Sequence, residues 1–329
     1  VDFVRIPSVS TDPAYAEDCA RAADWLVSEL TDLGATAKIH PTDGHPMVIG
    51  TLGDTGPHLL FYGHYDVQPV DPLELWDHPP FEPAIADTAA GAVIRGRGAS
   101  DDKGQLMTFL EAVRAWQTTI GPLPARITFL FEGEEEMGSP TILPFLKQHA
   151  ETLSADLALV CDTRMFDGRV PAIVTSLRGL LGQEVTLTAA DRDLHSGGYG
   201  GPAANPLRIL SRALAALHDD NGRVTLTGFY DGVPDLSEDQ RTDWVSLDMN
   251  TAGFLGPVGL SELAGEEGFS VPELLWARPT CEINGMLGGY TGEGFKTVLP
   301  AQANAKVSFR LVGQQDPQAI RAAFRDHIT

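Results

Sequence analysis

Apolar segments that end at acidic residues and lead into helical patterns recur along the first half of this 329-residue chain. The run at residues 58–62 stops at Gly63 and is followed by His64 and Asp66, which share one face if the segment is extended. Such runs are typical of buried strands in a parallel sheet. The repeat of strand, acidic residue and helix predicts an α/β fold, with a mostly parallel sheet and helices on both faces.

Acidic residues follow four predicted strands in succession. They are, with the histidine that accompanies the first, His64 and Asp66, Asp101 and Asp102, Glu135 and Glu136, and Asp162. Taken singly, each could be a turn residue, a helix cap or part of a solvated charge run. Because sites in α/β proteins form at the carboxyl ends of strands, their repetition there favours a shared site.

Imidazole and carboxylate groups are suited to Zn, Mn or Co. Two such ions, bridged by a carboxylate, can polarise a carbonyl group and deprotonate water. An additional glutamate beside them could then act as the general base. The residues alone therefore favour a metal-dependent hydrolase.

Composition excludes several other classes of function. The formal net charge of −22 argues against nucleic acid or an anionic membrane as the main partner. The sequence has no apolar run long enough for a membrane span. Three widely spaced cysteines, at positions 19, 161 and 281, suggest a reduced, cytoplasmic protein rather than a disulfide framework.

The pattern changes after residue 178. Residues 181–189 alternate as in a half-exposed antiparallel strand, and residues 193–201 form a glycine-rich loop. We therefore predict a first domain over residues 1–178 and a smaller α+β domain over residues 179–329.

A serine hydrolase is an alternative from another class. Ser100 and Lys103 match the S-x-x-K pattern of serine acyl enzymes at a helix start. The expected K-T-G partner occurs only as Lys296-Thr297-Val298, and Ser-Asp-Asn does not occur. The glycines before Asp101 do not form a dinucleotide fingerprint, since an aspartate replaces the last glycine.

Three segments together resemble the M20-type di-metal aminopeptidase and amidohydrolase group, and look most like its carnosinase-like dipeptidases. They are His64-Tyr-Asp66-Val-Gln-Pro, Gly96-Arg-Gly98-Ala-Ser-Asp101-Asp-Lys-Gly and Glu135-Glu136-Met-Gly-Ser. The resemblance implies hydrolysis of dipeptides or small peptides by a metal-bridged water. The group also contains N-acyl-amino-acid deacylases (acetyl or succinyl), and a non-catalytic binding homologue is a further alternative.

The resemblance also implies a role for each acidic motif and two divalent ions, Zn by default, with Mn or Co possible. His64 would bind one ion and Asp66 would orient it, while Asp101 would bridge both ions beside a cis peptide bond. The remaining implied roles are general base for Glu135, second-ion ligand for Glu136 and first-ion ligand for Asp162.

For residues 179–329 the resemblance implies a lid domain that also forms a homodimer. His195, in Asp-Leu-His-Ser-Gly, would reach the active site of the partner subunit and stabilise the oxyanion. Arg310, in Ser-Phe-Arg-Leu-Val, would bind the substrate carboxylate. Without the resemblance, a loop histidine and an edge-strand charge would be preferred for these two residues.

In that group a later segment returns to the catalytic domain and supplies a final histidine ligand. No histidine in a matching context follows Arg310, and His327 on the last predicted helix is a poor candidate. We therefore expect residues 1–329 alone to fold poorly and to lack hydrolytic activity.

Overall fold

The computed structural model describes residues 1–88, 91–163, 165–166 and 170–329. These residues divide into two compact units, Val1–Val174 and Thr175–Thr329. The predicted boundary at residue 178 lies a few residues further along the chain. The catalytic and lid roles of the two parts remain predictions.

The first unit contains both strands and helices. Its strands are β1 (Thr36–His40), β2 (Met47–Leu52), β3 (His58–His64), β4 (Ala84–Thr88), β5 (Gly91–Arg95), β6 (Arg126–Glu132) and β7 (Leu157–Val160). Its α-helices are α1 (Ala16–Asp32), α2 (Lys103–Thr119), α3 (Ile142–Gln148) and α4 (Ala150–Leu153). Short 3-10 helices lie at Asp2–Arg5, Pro13–Tyr15, Leu73–Leu75 and Glu135–Met137.

The main sheet of this unit has the order β1-β2-β6-β3-β7. Strand β3 pairs in parallel with β6 and β7, whereas β2 pairs antiparallel with β1 and β6. The described strands thus form a mixed sheet rather than the mostly parallel sheet predicted. The short connection between β1 and β2 is the reason, because only an antiparallel pair can be joined without a crossover.

The strand predicted before Asp101 does not belong to that sheet. Strand β5 pairs antiparallel with β4 in a separate hairpin. Asp101 and Asp102 instead lie at the start of helix α2, whose N-cap is Asp102. The expectation that four sheet strands each deliver acidic residues is therefore wrong for this pair, which the loop after β5 carries to the site.

Helices cover both faces of the sheet. Alternate residues of a strand point to opposite faces, and on β6 Phe129 and Phe131 join a cluster with α1 and α2, whereas Leu130 joins α3 and α4. The rings of Phe61 on β3 and Phe109 on α2 stack with centroids 3.9 Å apart. These contacts hold the carboxyl ends of β3 and β6 in a rigid layer.

The second unit is an α+β arrangement, as predicted. Its strands are β8 (Gly179–Thr188), β9 (Leu194–His195), β10 (Thr280–Gly288), β11 (Val298–Leu299) and β12 (Gln302–Leu311). Its α-helices are α5 (Ser196–Tyr199), α6 (Pro206–Ala215), α7 (Glu238–Val245), α8 (Thr251–Leu255), α9 (Val271–Trp276) and α10 (Pro317–Ile328).

Strand β12 lies between β10 and β8 and pairs antiparallel with both. The alternate residues Val307 and Phe309 pack with Leu210 of α6 and Phe324 of α10. Within the described ranges of both units, no helix combines the length and the apolarity that crossing a membrane requires.

Candidate metal centre

His64 is the last residue of β3 and is completely buried. Its backbone N–H donates to Asp102 Oδ2 at 3.0 Å. A Cβ atom on Gly63 would lie 2.9 Å from the same oxygen. Glycine at position 63 therefore leaves the space that the Asp102 carboxylate needs to reach the end of the strand.

The two nitrogens of the His64 ring face different surroundings. Nδ1 lies 3.1 Å from the carbonyl oxygen and 3.3 Å from Oδ1 of Asp66. Nε2 lies 3.1 Å from Asp101 Oδ1 and 3.8 Å from Asp162 Oδ2. With the proton on Nδ1, directed to Asp66, Nε2 presents its lone pair to the other carboxylates, as in a histidine metal ligand.

His64, Asp101 and Asp162 form a group that could hold a metal ion, with one ligand atom from each within 4.8 Å of the others. The peptide bond between Asp101 and Asp102 is cis, as the resemblance implied. One imidazole nitrogen and two carboxylate oxygens are a donor set suited to a divalent cation. The residues therefore fit a metal ion. Glu136 lies outside this group in the described part of the chain.

The carboxylates around His64 raise its pKa. Burial by itself lowers the pKa of His64, but the hydrogen bond and charge of Asp66, with the charges of Asp102 and Glu135, raise it to about 10. Burial raises the pKa of Asp102 to about 7. The carboxylates that stabilise a proton on His64 also favour a metal cation at the same place.

The glutamates at the end of β6 and in the turn after it separate into two pairs. Glu132 accepts hydrogen bonds from the hydroxyls of Tyr62 and Ser139 and is buried. Glu134 is also buried, and it accepts from the backbone N–H of His45 at 3.0 Å and from the Thr141 hydroxyl. Both carboxylates are thus engaged in holding the turn.

Glu135 and Glu136 are half-buried and lie on the site side of the same turn. Their backbone N–H groups donate to the Asp66 carboxylate at 3.2 and 3.0 Å. Glu135 Oε2 lies 4.0 Å from His64 Nε2, and Glu136 Oε2 accepts from the Gln68 amide at 2.6 Å. Asp66 therefore connects the histidine to the acidic turn, and Gln68 is a site contact that sequence reasoning missed.

The pKa of the Glu135 carboxyl is raised above its usual range. Burial is the main cause; His64 opposes it, and the charges of Asp162 and Glu136 add to it. A carboxylate with a raised pKa, close to the metal group yet outside it, is suited to accept and return a proton.

Lys103 has a different environment from the one that the serine-hydrolase alternative requires. Its side chain is buried, and Nζ donates to the carbonyl oxygens of Phe3 and Ile6 at 3.1 and 2.6 Å. Burial lowers the pKa of Lys103 to about 7. The ammonium group holds the N-terminal segment against α2, so the S-x-x-K match has a structural explanation.

His195 and Arg310 lie in the second unit. The Nδ1 atom of His195 accepts from the backbone N–H of Gly197 at 2.9 Å, and Nε2 lies 3.2 Å from the Thr297 hydroxyl. Arg310 is exposed on β12, and with burial its charge lowers the pKa of Arg178. Both have an exposed polar group, and their roles at the metal centre remain predictions.

Comparisons with known proteins point to one family. Residues 60–323 match the model of peptidase family M20/M25/M40. The chain is 30% identical to the Cys-Gly metallodipeptidase dug1 of Schizosaccharomyces pombe, over 99% of this chain and 71% of that protein.

Two solved structures agree with this result. The M20 family metallo-carboxypeptidase Sso-CP2 from Sulfolobus solfataricus superimposes with a TM-score of 0.85 and 35% identity, over 99% of this chain and 73% of that one. Human carnosine dipeptidase 1 has a TM-score of 0.78 and 27% identity, over 99% of this chain and 72% of its own.

Proposed function

This chain belongs to peptidase family M20/M25/M40, and we propose that it hydrolyses the amide bond of dipeptides or other small peptides in a metal-dependent reaction. The observation that carries the proposal is the convergence of His64 Nε2, Asp101 and Asp162 on one point beside Glu135. The metallodipeptidase and carnosine dipeptidase among its relatives support the substrate class.

His64, Asp101 and Asp162 would hold one divalent ion, and Asp101 with Glu136 would hold a second. Bound there, such ions polarise a carbonyl group and make water a stronger acid. Zn is the default from the donor types, and Mn or Co fits the same oxygen and nitrogen atoms. Asp66 orients the His64 ring through Nδ1 and fixes the turn that carries both glutamates.

Glu135 acts as the general base in this proposal. It removes a proton from the attacking water and delivers that proton to the leaving amine as the amide bond breaks. Its raised pKa supports the first step, because a carboxylate with a raised pKa is a better base than an ordinary one. Glu134 is not suited to this role, since both of its oxygens already accept hydrogen bonds.

The second unit is proposed to act as a lid and to form a homodimer, with residues 1–178 as the catalytic part. Arg310 would bind the substrate carboxylate, since a guanidinium group can donate two parallel hydrogen bonds to it. His195 would stabilise the oxyanion in the site of the partner subunit. A cytoplasmic location is proposed on the basis of three cysteines that are all free.

The first test is hydrolysis of a substrate panel by the full-length protein, with and without chelator and with metal added back. The panel contains free dipeptides, a tripeptide, and N-acetyl and N-succinyl amino acids. Chelator-sensitive cleavage of free dipeptides is the expected result. Cleavage of the N-acyl amino acids alone would favour a deacylase, and activity that is indifferent to chelator would refute the metal proposal.

A carboxypeptidase is the second candidate, because the Sulfolobus enzyme of that name is 35% identical over 99% of this chain. Both activities need a free C-terminal carboxylate, but only a carboxypeptidase accepts longer peptides. Release of the C-terminal residue from the tripeptide, at a rate comparable to dipeptide cleavage, would favour it.

The role of Glu135 is tested by Glu135→Gln, with Glu151→Gln on the exposed surface of α4 as the control. The first change should abolish turnover and leave metal binding intact, because an amide cannot accept the proton. The second should leave both unchanged. Substantial turnover in Glu135→Gln would show that another group is the base.

A further inference from the structure

The N-terminal segment at residues 8–10 lies against the loop that carries Asp66. The backbone N–H of Val67 donates to the Ser8 carbonyl at 2.9 Å, and Val9 forms a parallel bridge with Val67. The Ser8 hydroxyl donates to the Tyr65 carbonyl at 2.6 Å. The backbone contacts of Ser8 and Val9 with Val67 bring the next side chain on the same side, Ser10, to the Asp66 carboxylate.

The Ser10 hydroxyl donates to Asp66 Oδ2 at 2.6 Å, and both residues are buried. Oδ2 also accepts from the backbone N–H of Glu136, while Oδ1 accepts from that of Glu135 and faces His64 Nδ1. Ser10 is the one side-chain hydroxyl that donates to this carboxylate among the described residues. The other contacts of the carboxylate are with the His64 ring and the acidic turn, which are the groups that Asp66 orients.

The final torsion of an aspartate side chain has a broad preference, so its neighbours must select the orientation of the carboxylate. A hydroxyl hydrogen bond to an ionised oxygen is among the stronger neutral-to-charged contacts. Holding Oδ2 in place also fixes Oδ1 opposite the imidazole.

We propose that Ser10 is a positioning residue of the metal centre, which acts on His64 and the acidic turn through the carboxylate of Asp66. The inference rests on the proposed metal site and adds a residue that has no role in the motifs. Ser10 does not contact the metal ligands' donor atoms itself, so its effect must appear as a change in metal affinity that Asp66 transmits.

The test compares Ser10→Ala with Ser8→Ala in the full-length protein. Each variant loses one buried hydroxyl whose hydrogen bond is 2.6 Å long, but Ser8 donates to a backbone carbonyl rather than to Asp66. Zn²⁺ affinity is measured by competition with a chromophoric chelator, and stability by urea unfolding of the metal-free protein. Loss of a group that bonds a metal ligand directly costs about 10–100-fold in affinity, and Ser10→Ala should weaken Zn²⁺ binding by up to that factor because it acts through such a group, while Ser8→Ala keeps the original affinity.

Equal Zn²⁺ affinities in the two variants, at similar losses of stability, would overturn the proposal, because Ser10 would then be purely structural. If Ser10→Ala does not fold, Ser10→Gly replaces it, since it also removes the hydroxyl and adds no group that binds Zn²⁺. An unchanged affinity in Ser10→Gly would again contradict the proposal.

A double-mutant cycle tests the route of the effect. In an Asp66→Ala background, Ser10→Ala should cause no further loss of Zn²⁺ affinity, because the carboxylate through which it acts is gone. Additive losses would show that Ser10 acts by another path. All of these measurements read metal binding, so a protein that binds Zn²⁺ but cleaves no peptide would refute the proposed function and leave this inference intact.

Discussion

Replacing Gly63 by alanine places a methyl group close to the Asp102 carboxylate in the candidate metal centre. The added Cβ would lie 2.9 Å from Asp102 Oδ2 and 3.6 Å from Leu106 Cδ1. Asp102 and Leu106 are both buried, and the same Oδ2 atom accepts from the His64 backbone N–H at 3.0 Å. The carboxylate can move only by giving up that hydrogen bond.

Two opposing effects determine the size of the change. Overpacking a well-filled site costs about 1–3 kcal/mol, whereas replacing glycine by alanine restricts the unfolded chain and stabilises by about 0.4–1 kcal/mol. We therefore expect a net loss of about 1–2 kcal/mol. For a unit of this size that corresponds to a melting temperature about 2–8 °C lower.

Gly182→Ala on strand β8 is the matched control, because an added Cβ there has no atom within 4 Å among the described residues. The only remaining effect is the lower conformational entropy of the unfolded chain, so this variant should be more stable than the original protein by about 0.4–1 kcal/mol. Scanning calorimetry of the metal-free protein measures both changes. A rise in melting temperature for Gly63→Ala, similar to that of the control, would refute the argument that Asp102 has no room to move.

Three further predictions concern metal, the buried glutamate and pH. Metal at a concentration of 100 times its dissociation constant should stabilise the protein by about 2.7 kcal/mol in thermal unfolding, and Asp162→Asn should reduce this gain because it removes one charged donor. Glu134→Ala should destabilise by about 1–3 kcal/mol or more in urea unfolding, since the His45 N–H loses its buried acceptor. Burial, with the charges of His149 and Lys38, lowers the pKa of His40 below its ordinary 6.5. As the pH falls, His40 takes up a proton in the unfolded chain before it does so in the folded protein. The stability that neutral His40 contributes to the folded protein is therefore complete above pH about 6.5 and is lost as the pH falls below it.

Each of these predictions has its own control. Glu151→Ala, on the exposed surface of α4, should leave stability unchanged, and a loss as large as that of Glu134→Ala would contradict the assigned role. His40→Gln should flatten the fall in stability on the acid side, and an unchanged slope would show that other groups cause it. If metal raises the melting temperature of Asp162→Asn as much as that of the original protein, the proposal that Asp162 is a ligand is contradicted.

Local patterns in the sequence were sufficient for the segments and for much of the chemistry. The apolar runs identified β3, β6 and β7, and β6 is buried as expected, because a buried strand needs apolar side chains on both faces. Strand β7, at the edge of the described sheet, is instead largely exposed. Alternation identified β8 in the second unit. The histidine and carboxylates of the metal group were named from motifs, since their donor types restrict the possible chemistry.

Only the tertiary structure decided how those segments combine. The antiparallel pairing of β2 and the separate β4–β5 hairpin depend on contacts between distant segments, which no local pattern encodes. The same holds for the acidic turn, where neighbouring glutamates differ because Glu132 accepts from the Tyr62 hydroxyl and Glu134 accepts from the His45 backbone N–H. Ser10 reaches Asp66 across 56 positions of sequence for the same reason. Periodicity determines which residues a segment can bury, whereas the fold determines which polar groups meet.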